Sequence, residues 1–198
     1  MNRLKGMTAY LCGAMDRVAD GGVGWRERIT PRLQELGIGV FNPCNKPSNF
    51  APEDEDTRRV VAAYKKAKNY DQVSAIMKPI CAVDLRMVDI AHFIIMNLDI
   101  DNHLCGSYHE AFVAIGQKKP VVIMCKQGKR GLPNWMFGVV PHQMVFSNWS
   151  ETIEYLHHIN EDEDVEHLNR WRFFDFNKVY GNDTSGIRPQ ELYEGRGN

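Results

Sequence analysis

The chain has 198 residues, with 24 Lys and Arg against 25 Asp and Glu, a balance that gives no long-range pull toward nucleic acid or an anionic membrane. Hydrophobic residues make up 43% of it, enough for one sizeable core, and no apolar run approaches the ~20 residues needed to span a bilayer. Five scattered cysteines without CxxC spacing argue against zinc and for a reducing compartment, and Met1 to Tyr10 lacks the apolar stretch of a signal peptide. A cytoplasmic protein with no metal and no cofactor is expected.

Short β-rich runs alternate with stretches of helical period, the pattern of a parallel sheet covered on both faces by helices. Residues 8–12 read as the first buried strand. Trp25, Ile29, Leu33 and Leu36 then recur at helical spacing, interrupted by Pro31 and stopped by Gly37. A second strand over 38–41 runs into Asn42-Pro43 at the sheet edge. Acidic residues 53–56 followed by cations between Arg58 and Lys68 suit the dipole of one long helix over 53–78, read as a solvated outer element. Pro79 is expected to start a further helix with Ile80, Val83, Met87 and Ile90 inward and Asp84 at the rim of that face.

The third strand spans 93–96, and a helix beginning at Ser107 carries Ala111, Phe112 and Ile115 inward. Residues 120–125 are almost wholly apolar, as a central parallel strand should be, and 143–146 offer a fifth. Asn148 with Glu151 forms a capping box for a helix bearing Trp149, Ile153 and Leu156. These elements define one domain over 1–160 with a helical insertion at about 50–78. The extension over 161–198 has a short amphipathic run at Val165, Leu168 and Trp171 and a loosely held end.

In an open parallel sheet, ligands bind beyond the carboxyl ends of the strands. Three segments converge there. Cys12-Gly13-Ala14-Met15-Asp16 leads into a glycine loop ending Gly24-Trp25-Arg26, where close backbone approach and a helix start suit a hydroxyl or phosphate. By itself that loop is neither GxGxxG nor a P-loop, and reads equally as a plain connection. Asp84 to Asp89 precede the third strand, and Gly106-Ser107-Tyr108-His109-Glu110 follows it, with Glu110 expected in the first helical turn, where the dipole favours the ionised carboxylate.

The ordered set resembles the nucleoside 2-deoxyribosyltransferase family and its nucleotide N-glycosidase relatives. The likeness runs over roughly residues 8–125, from Tyr10-Leu11-Cys12-Gly13-Ala14-Met15 through Leu36 to Pro43 and Asp84 to Gly106-Ser107-Tyr108-His109-Glu110 and Lys118 to Val122. It implies a doubly wound, flavodoxin-like sheet of five parallel strands. Glu110 would be the nucleophile and Asp84 the proton donor or orienting group near the base. Tyr10, Gly13, Ala14, Met15 and Gly24 would contact substrate, with Asn42, Asp99, Asp101, Gly106, Ser107 and Trp135; the glycine loop and Arg26 are expected to hold the sugar's 5′ end, because helix starts attract hydroxyl and phosphate oxygens.

The chain departs from the family in two places. His92 stands where a second Asp is usual, and Leu104 where a carboxylate often precedes the Gly-Ser turn, leaving Asp99 and Asp101 as the nearest replacements. The resemblance also implies a homo-oligomer, dimer or higher, in which a neighbouring subunit completes the site, and the apolar 132–138 segment around Trp135 is more hydrophobic surface than a loop should carry; covering its own sheet edge is the other reading of that segment.

The partners expected are a small-molecule nucleoside or nucleotide and a free base. Sugar transfer between bases is the leading expectation, hydrolysis of a deoxynucleoside or its 5′-monophosphate the first alternative, and a non-catalytic nucleotide-binding module the second.

Overall fold

The computed structural model describes residues 2–46, 51–161 and 171. Five parallel strands form one sheet in the order β2-β1-β3-β4-β5, with β1 at Thr8–Gly13, β2 at Gly39–Phe41, β3 at Phe93–Leu98, β4 at Val121–Cys125 and β5 at Val145–Phe146. This is a flavodoxin-like order, in which the chain reverses its winding beside β1 and β3. The register pairs Ala9 with Phe93, Cys12 with Met96 and Ile94 with Val121. Strand β4 is buried throughout and β3 at every residue but Asn97, as strands covered on both faces must be.

Helix α1 (Val23–Glu35) passes through Pro31 without a break, and Gly37 takes a positive φ of 73° just beyond its end, the left-handed stop that glycine favours. Residues 53–78 are not one helix. Helix α2 (Glu55–Lys66) is capped by Asp54, whose carboxylate accepts from Thr57 N at 2.8 Å, and α3 (Tyr70–Ile90) is capped by Asn69. Between them Lys68 sits in the left-handed region at φ 57°, a turn without glycine and therefore without an obvious mark in the sequence.

Pro79 lies inside α3 rather than at its start. Its lost backbone hydrogen bond is outweighed by the packing of the following turns, which bury Ile80, Met87 and Val88. The same stripe contains Asp84, four residues from Ile80 and four from Val88, so this carboxylate lies on the buried face and not at its rim; Ile90 is exposed instead.

Helix α4 (Cys105–Gly116) buries Ser107, Ala111 and Ala114, leaving Phe112 outward against Tyr108. Two short helices, α5 (Gly128–Gly131) and α6 (Asn134–Val139), lead to β5. Helix α7 (Trp149–Glu161) starts as the capping pattern predicts: Asn148 Oδ1 accepts from Glu151 N at 2.9 Å, while Glu151 reaches back to Ser147 N. Helices α1 and α7 pack together through a Trp25–Trp149 stack with centroids 5.3 Å apart.

Of the extension, Trp171 is buried edge-on against Phe93 and donates to the Tyr155 hydroxyl at 3.0 Å. Val165, Leu168 and the expected loose end lie outside the described residues. No helix among the described residues is long and apolar enough to cross a membrane.

Candidate functional site

The chain's reversal at β1 and β3 opens a cavity of about 380 Å³, walled by the loop after β1, the middle of α3 and the first turns of α4. Gly13, Ala14 and Met15 line it, as do Asp84, Gly106, Ser107 and Glu110. Side-chain alternation explains the contribution of β1. Tyr10 and Cys12 project to the same face, and both end at α4: the Tyr10 hydroxyl donates to Glu110 Oε1 at 2.9 Å, and Cys12 Sγ donates to the Ser107 carbonyl at 3.2 Å.

Glu110 falls one turn beyond Ser107 and four residues before Ala114, half-buried at the edge of the stripe that Ser107, Ala111 and Ala114 form on α4. Because α4 begins at Cys105, two residues earlier than Ser107, Glu110 occupies the second turn and not the first, and no acidic residue lies in the first turn. The dipole is therefore not the main influence on it, since that effect fades within the first turn. Burial raises the Glu110 carboxyl above its ordinary range, against the neighbouring Cys12 thiol and the hydrogen bond from the Tyr10 hydroxyl, which favour the anion. Tyr10, completely buried and beside two carboxylates, has its own pKa pushed well above the usual value, so it remains a phenol able to donate.

Asp84 comes with two partners that the sequence reading did not single out. Lys46, from the loop after β2, places Nζ 2.8 Å from Asp84 Oδ1 and 2.8 Å from Glu53 Oε2, with its side chain only 3% exposed. Burial first and the Glu53 charge second push the Asp84 carboxyl up to about 7, over the opposing pull of Lys46. Lys46 itself is held above its usual value: burial disfavours its charge, but the two ion pairs overcome that. A lone loop lysine and the first member of an acidic run carry no local pattern, so only tertiary contact reveals them.

A second lobe of about 380 Å³ adjoins the first and shares Met15, Asp16, Glu53, Met77 and Ile80 with it. Its far wall carries Arg17, Arg58 and Lys65. Arg17 also meets His103 Nε2 at 2.6 Å, linking the loops after β1 and β3.

Several expected residues lie elsewhere. Arg26 is completely buried and spends its guanidinium on backbone carbonyls, reaching Leu11 O at 3.1 Å, Gly22 O at 2.7 Å and Gly13 O at 2.9 Å. It clamps the loop after β1 from behind and does not line the cavity. The glycine loop is likewise occupied, because Asp20 accepts from Gly22 N at 2.9 Å and Gly24 N at 3.0 Å, the donors an incoming anion would need. Gly22 itself has φ 77°, and a Cβ there would strike the Ala14 carbonyl and the Arg26 guanidinium.

Asn42 turns its side chain onto Cys44 N at 2.9 Å and does not line the cavity. Asp99 is held by Lys126 at 2.8 Å and Gln127 at 2.6 Å, Asp101 also meets Gln127, and neither carboxylate lines the cavity that holds Glu110. His92 accepts from Thr8 N at the opposite, amino end of the sheet. Trp135 is 75% exposed on α6 and outside the cavity, whereas Met136 beside it is buried.

No protein-family model matches the chain, and no curated protein matches it. Among solved structures it is similar to a 2-deoxyribosyltransferase from the psychrotolerant bacterium Bacillus psychrosaccharolyticus, with a TM-score of 0.50 and 17% identity over 75% of this chain and 91% of that one. It is also similar to a 2-desoxiribosyltransferase from Leishmania mexicana, with a TM-score of 0.46 and 13% identity over 79% of this chain and 99% of that one. At 17% identity the first likeness speaks to the fold, and it agrees with the five-stranded parallel sheet described above.

Proposed function

We propose that the protein breaks the bond between the base and the sugar of a 2′-deoxynucleoside and passes the sugar to a second base, with Glu110 as nucleophile and Asp84 as acid. The observation that carries this reading is the pairing, in one cavity, of a carboxylate oriented by a buried phenol with a second carboxyl that titrates near neutrality. Cleaving an N-glycosidic bond builds positive charge on the anomeric carbon and negative charge on the departing base. Glu110, with little water around it and one oxygen fixed by Tyr10, answers the first by forming an ester to that carbon as the carbon–nitrogen bond breaks. Asp84 answers the second by giving its proton to the base nitrogen. An incoming base reverses both steps, its N–H proton returning to Asp84. The fold shared with a bacterial 2-deoxyribosyltransferase agrees with this assignment.

The second lobe favours one variant of the reading. Arg17, Arg58 and Lys65 form a cationic wall next to the carboxylate lobe, as a substrate bearing a 5′-phosphate would require. Hydrolysis of a deoxynucleoside 5′-monophosphate is therefore the alternative, with water in place of the second base. Self-association belongs to the same proposal: Trp135 and Phe137, 75% and 46% exposed, offer apolar surface to a second copy, and sedimentation of a monomer at active concentrations would remove it.

The deciding experiment incubates the protein with a deoxynucleoside, or its 5′-monophosphate, and a second free base. The swapped nucleoside is expected. Released base without it would point to hydrolysis, and tight binding with no released base to a nucleotide-binding module. Glu110→Gln should reduce turnover by orders of magnitude while the fold survives, and a 2-fluoro-2-deoxy nucleoside should leave a sugar adduct on the Glu110 peptide. Near-normal turnover by folded Glu110→Gln protein would overturn the proposal.

A further inference from the structure

Asp84 must be neutral before it gives up a proton and anionic afterwards, and a buried anion is costly unless a counter-charge is already in place. Lys46 is such a charge. It is nearly inaccessible, 2.8 Å from the Asp84 oxygen and 2.8 Å from Glu53; Lys46 and Glu53 come from the connection between β2 and α2, and Asp84 from α3. We infer that Lys46 and Glu53 are positioning residues for Asp84. Lys46 forms a neutral pair with Glu53 while Asp84 holds its proton, and receives the negative charge of Asp84 once the proton has gone to the departing base. The inference rests on the role proposed for Asp84.

The step balances within the site. One proton leaves the Asp84 carboxyl for the base nitrogen, and the ion pair between Lys46 and Asp84 takes up the charge left behind. Glu53 holds the lysine against the cavity wall and, by its own negative charge, keeps Asp84 from ionising too early. The other groups around Asp84 do not duplicate this. Glu110 and His109 approach from α4, and Tyr10 from β1; Glu110 is an acid occupied at the anomeric carbon, Tyr10 is bonded to Glu110, and His109 is not in contact with Asp84 through any hydrogen bond among the described residues. Cys81, on the same helix, is an exposed thiol.

Two substitutions of opposite sign test the idea. Lys46→Met removes the cation, so the Asp84 carboxyl should titrate about 1–3 pH units higher, whereas Glu53→Gln removes an anion and should move it lower by a similar amount. Lys46→Arg, which restores the charge, should return it close to the original value. The titration is followed by carbon NMR of Asp-labelled free protein, whose dispersion also reports that each variant is folded, and in parallel by the pH profile of base release.

Opposite movements of the Asp84 titration, matched by the alkaline limb of the profile, are expected. A titration that stays put in both variants, or moves the same way in both, would overturn the inference whatever the activity. So would a titration that moves while the profile does not. Because the NMR reading needs no turnover, it decides the role of Lys46 and Glu53 in setting Asp84 even in a protein that releases no base, an outcome that would instead count against the proposed function.

Discussion

Removing the Tyr10 hydroxyl isolates the contact that prepares Glu110. Tyr10→Phe changes one buried atom, deletes the 2.9 Å hydrogen bond to Glu110 Oε1 and leaves the ring in the core beside β3. A hydrogen bond to a charged group contributes about 1.5–3 kcal/mol, and about 1.36 kcal/mol corresponds to one pH unit, so Glu110 should ionise about 1–2 units higher in the variant. Glu110 already lies above its ordinary range, and the nucleophile must be anionic. The acidic limb of kcat/KM therefore moves upward, toward the alkaline limb that Asp84 imposes as pH rises through about 7. The pH profile narrows, and on its acidic side kcat/KM falls about 10–100-fold, the same 1–2 units expressed as rate. The assay is base release from a deoxynucleoside across pH, with circular dichroism to verify the fold. A folded variant with the same acidic limb and a rate within about twofold would refute the reasoning, because the hydroxyl would then contribute nothing to the anion.

Arg26→Ala should be a stability variant: three charged hydrogen bonds to carbonyls are lost from a fully buried site. A loss of at least about 3 kcal/mol is expected, read as a fall in Tm of at least about 6 °C, and an unchanged Tm would contradict it. Asp84→Asn should flatten the pH dependence of stability. With a folded value of about 7 against an ordinary unfolded one of ~3.9, Asp84 contributes stability that is complete below pH ~4 and lost as pH rises through about 7. Urea midpoints measured from pH 4 to 8 should fall less steeply for the variant, and an identical slope would count against the assignment.

Much of this molecule follows from short-range pattern. Apolar runs at 8–12, 93–96 and 120–125 become β1, β3 and β4, because strands covered on both faces must be apolar along their length. Residues 143–146 contain the short β5, and the Asn148–Glu151 cap and the Gly37 stop are equally local, each depending on a few neighbouring residues. The ordered Asp84 and Glu110 motifs were also legible, and both residues line one cavity.

What sequence distance conceals is the set of partners for each charge. Arg26 looked like a ligand for an anion beside a glycine loop, but folding supplied three backbone carbonyls first, and a buried guanidinium takes the acceptors it finds. Asp20 satisfied the loop's donors in the same way. Conversely, Lys46 and Glu53, in a loop and an acidic run with no distinguishing pattern, were carried onto Asp84 by the ends of β2 and α2. The sequence by itself determined which faces are apolar and where acids stand along the chain; the tertiary structure decided which acids share a cation, lose water and keep a proton, because those properties depend on distance and burial in three dimensions.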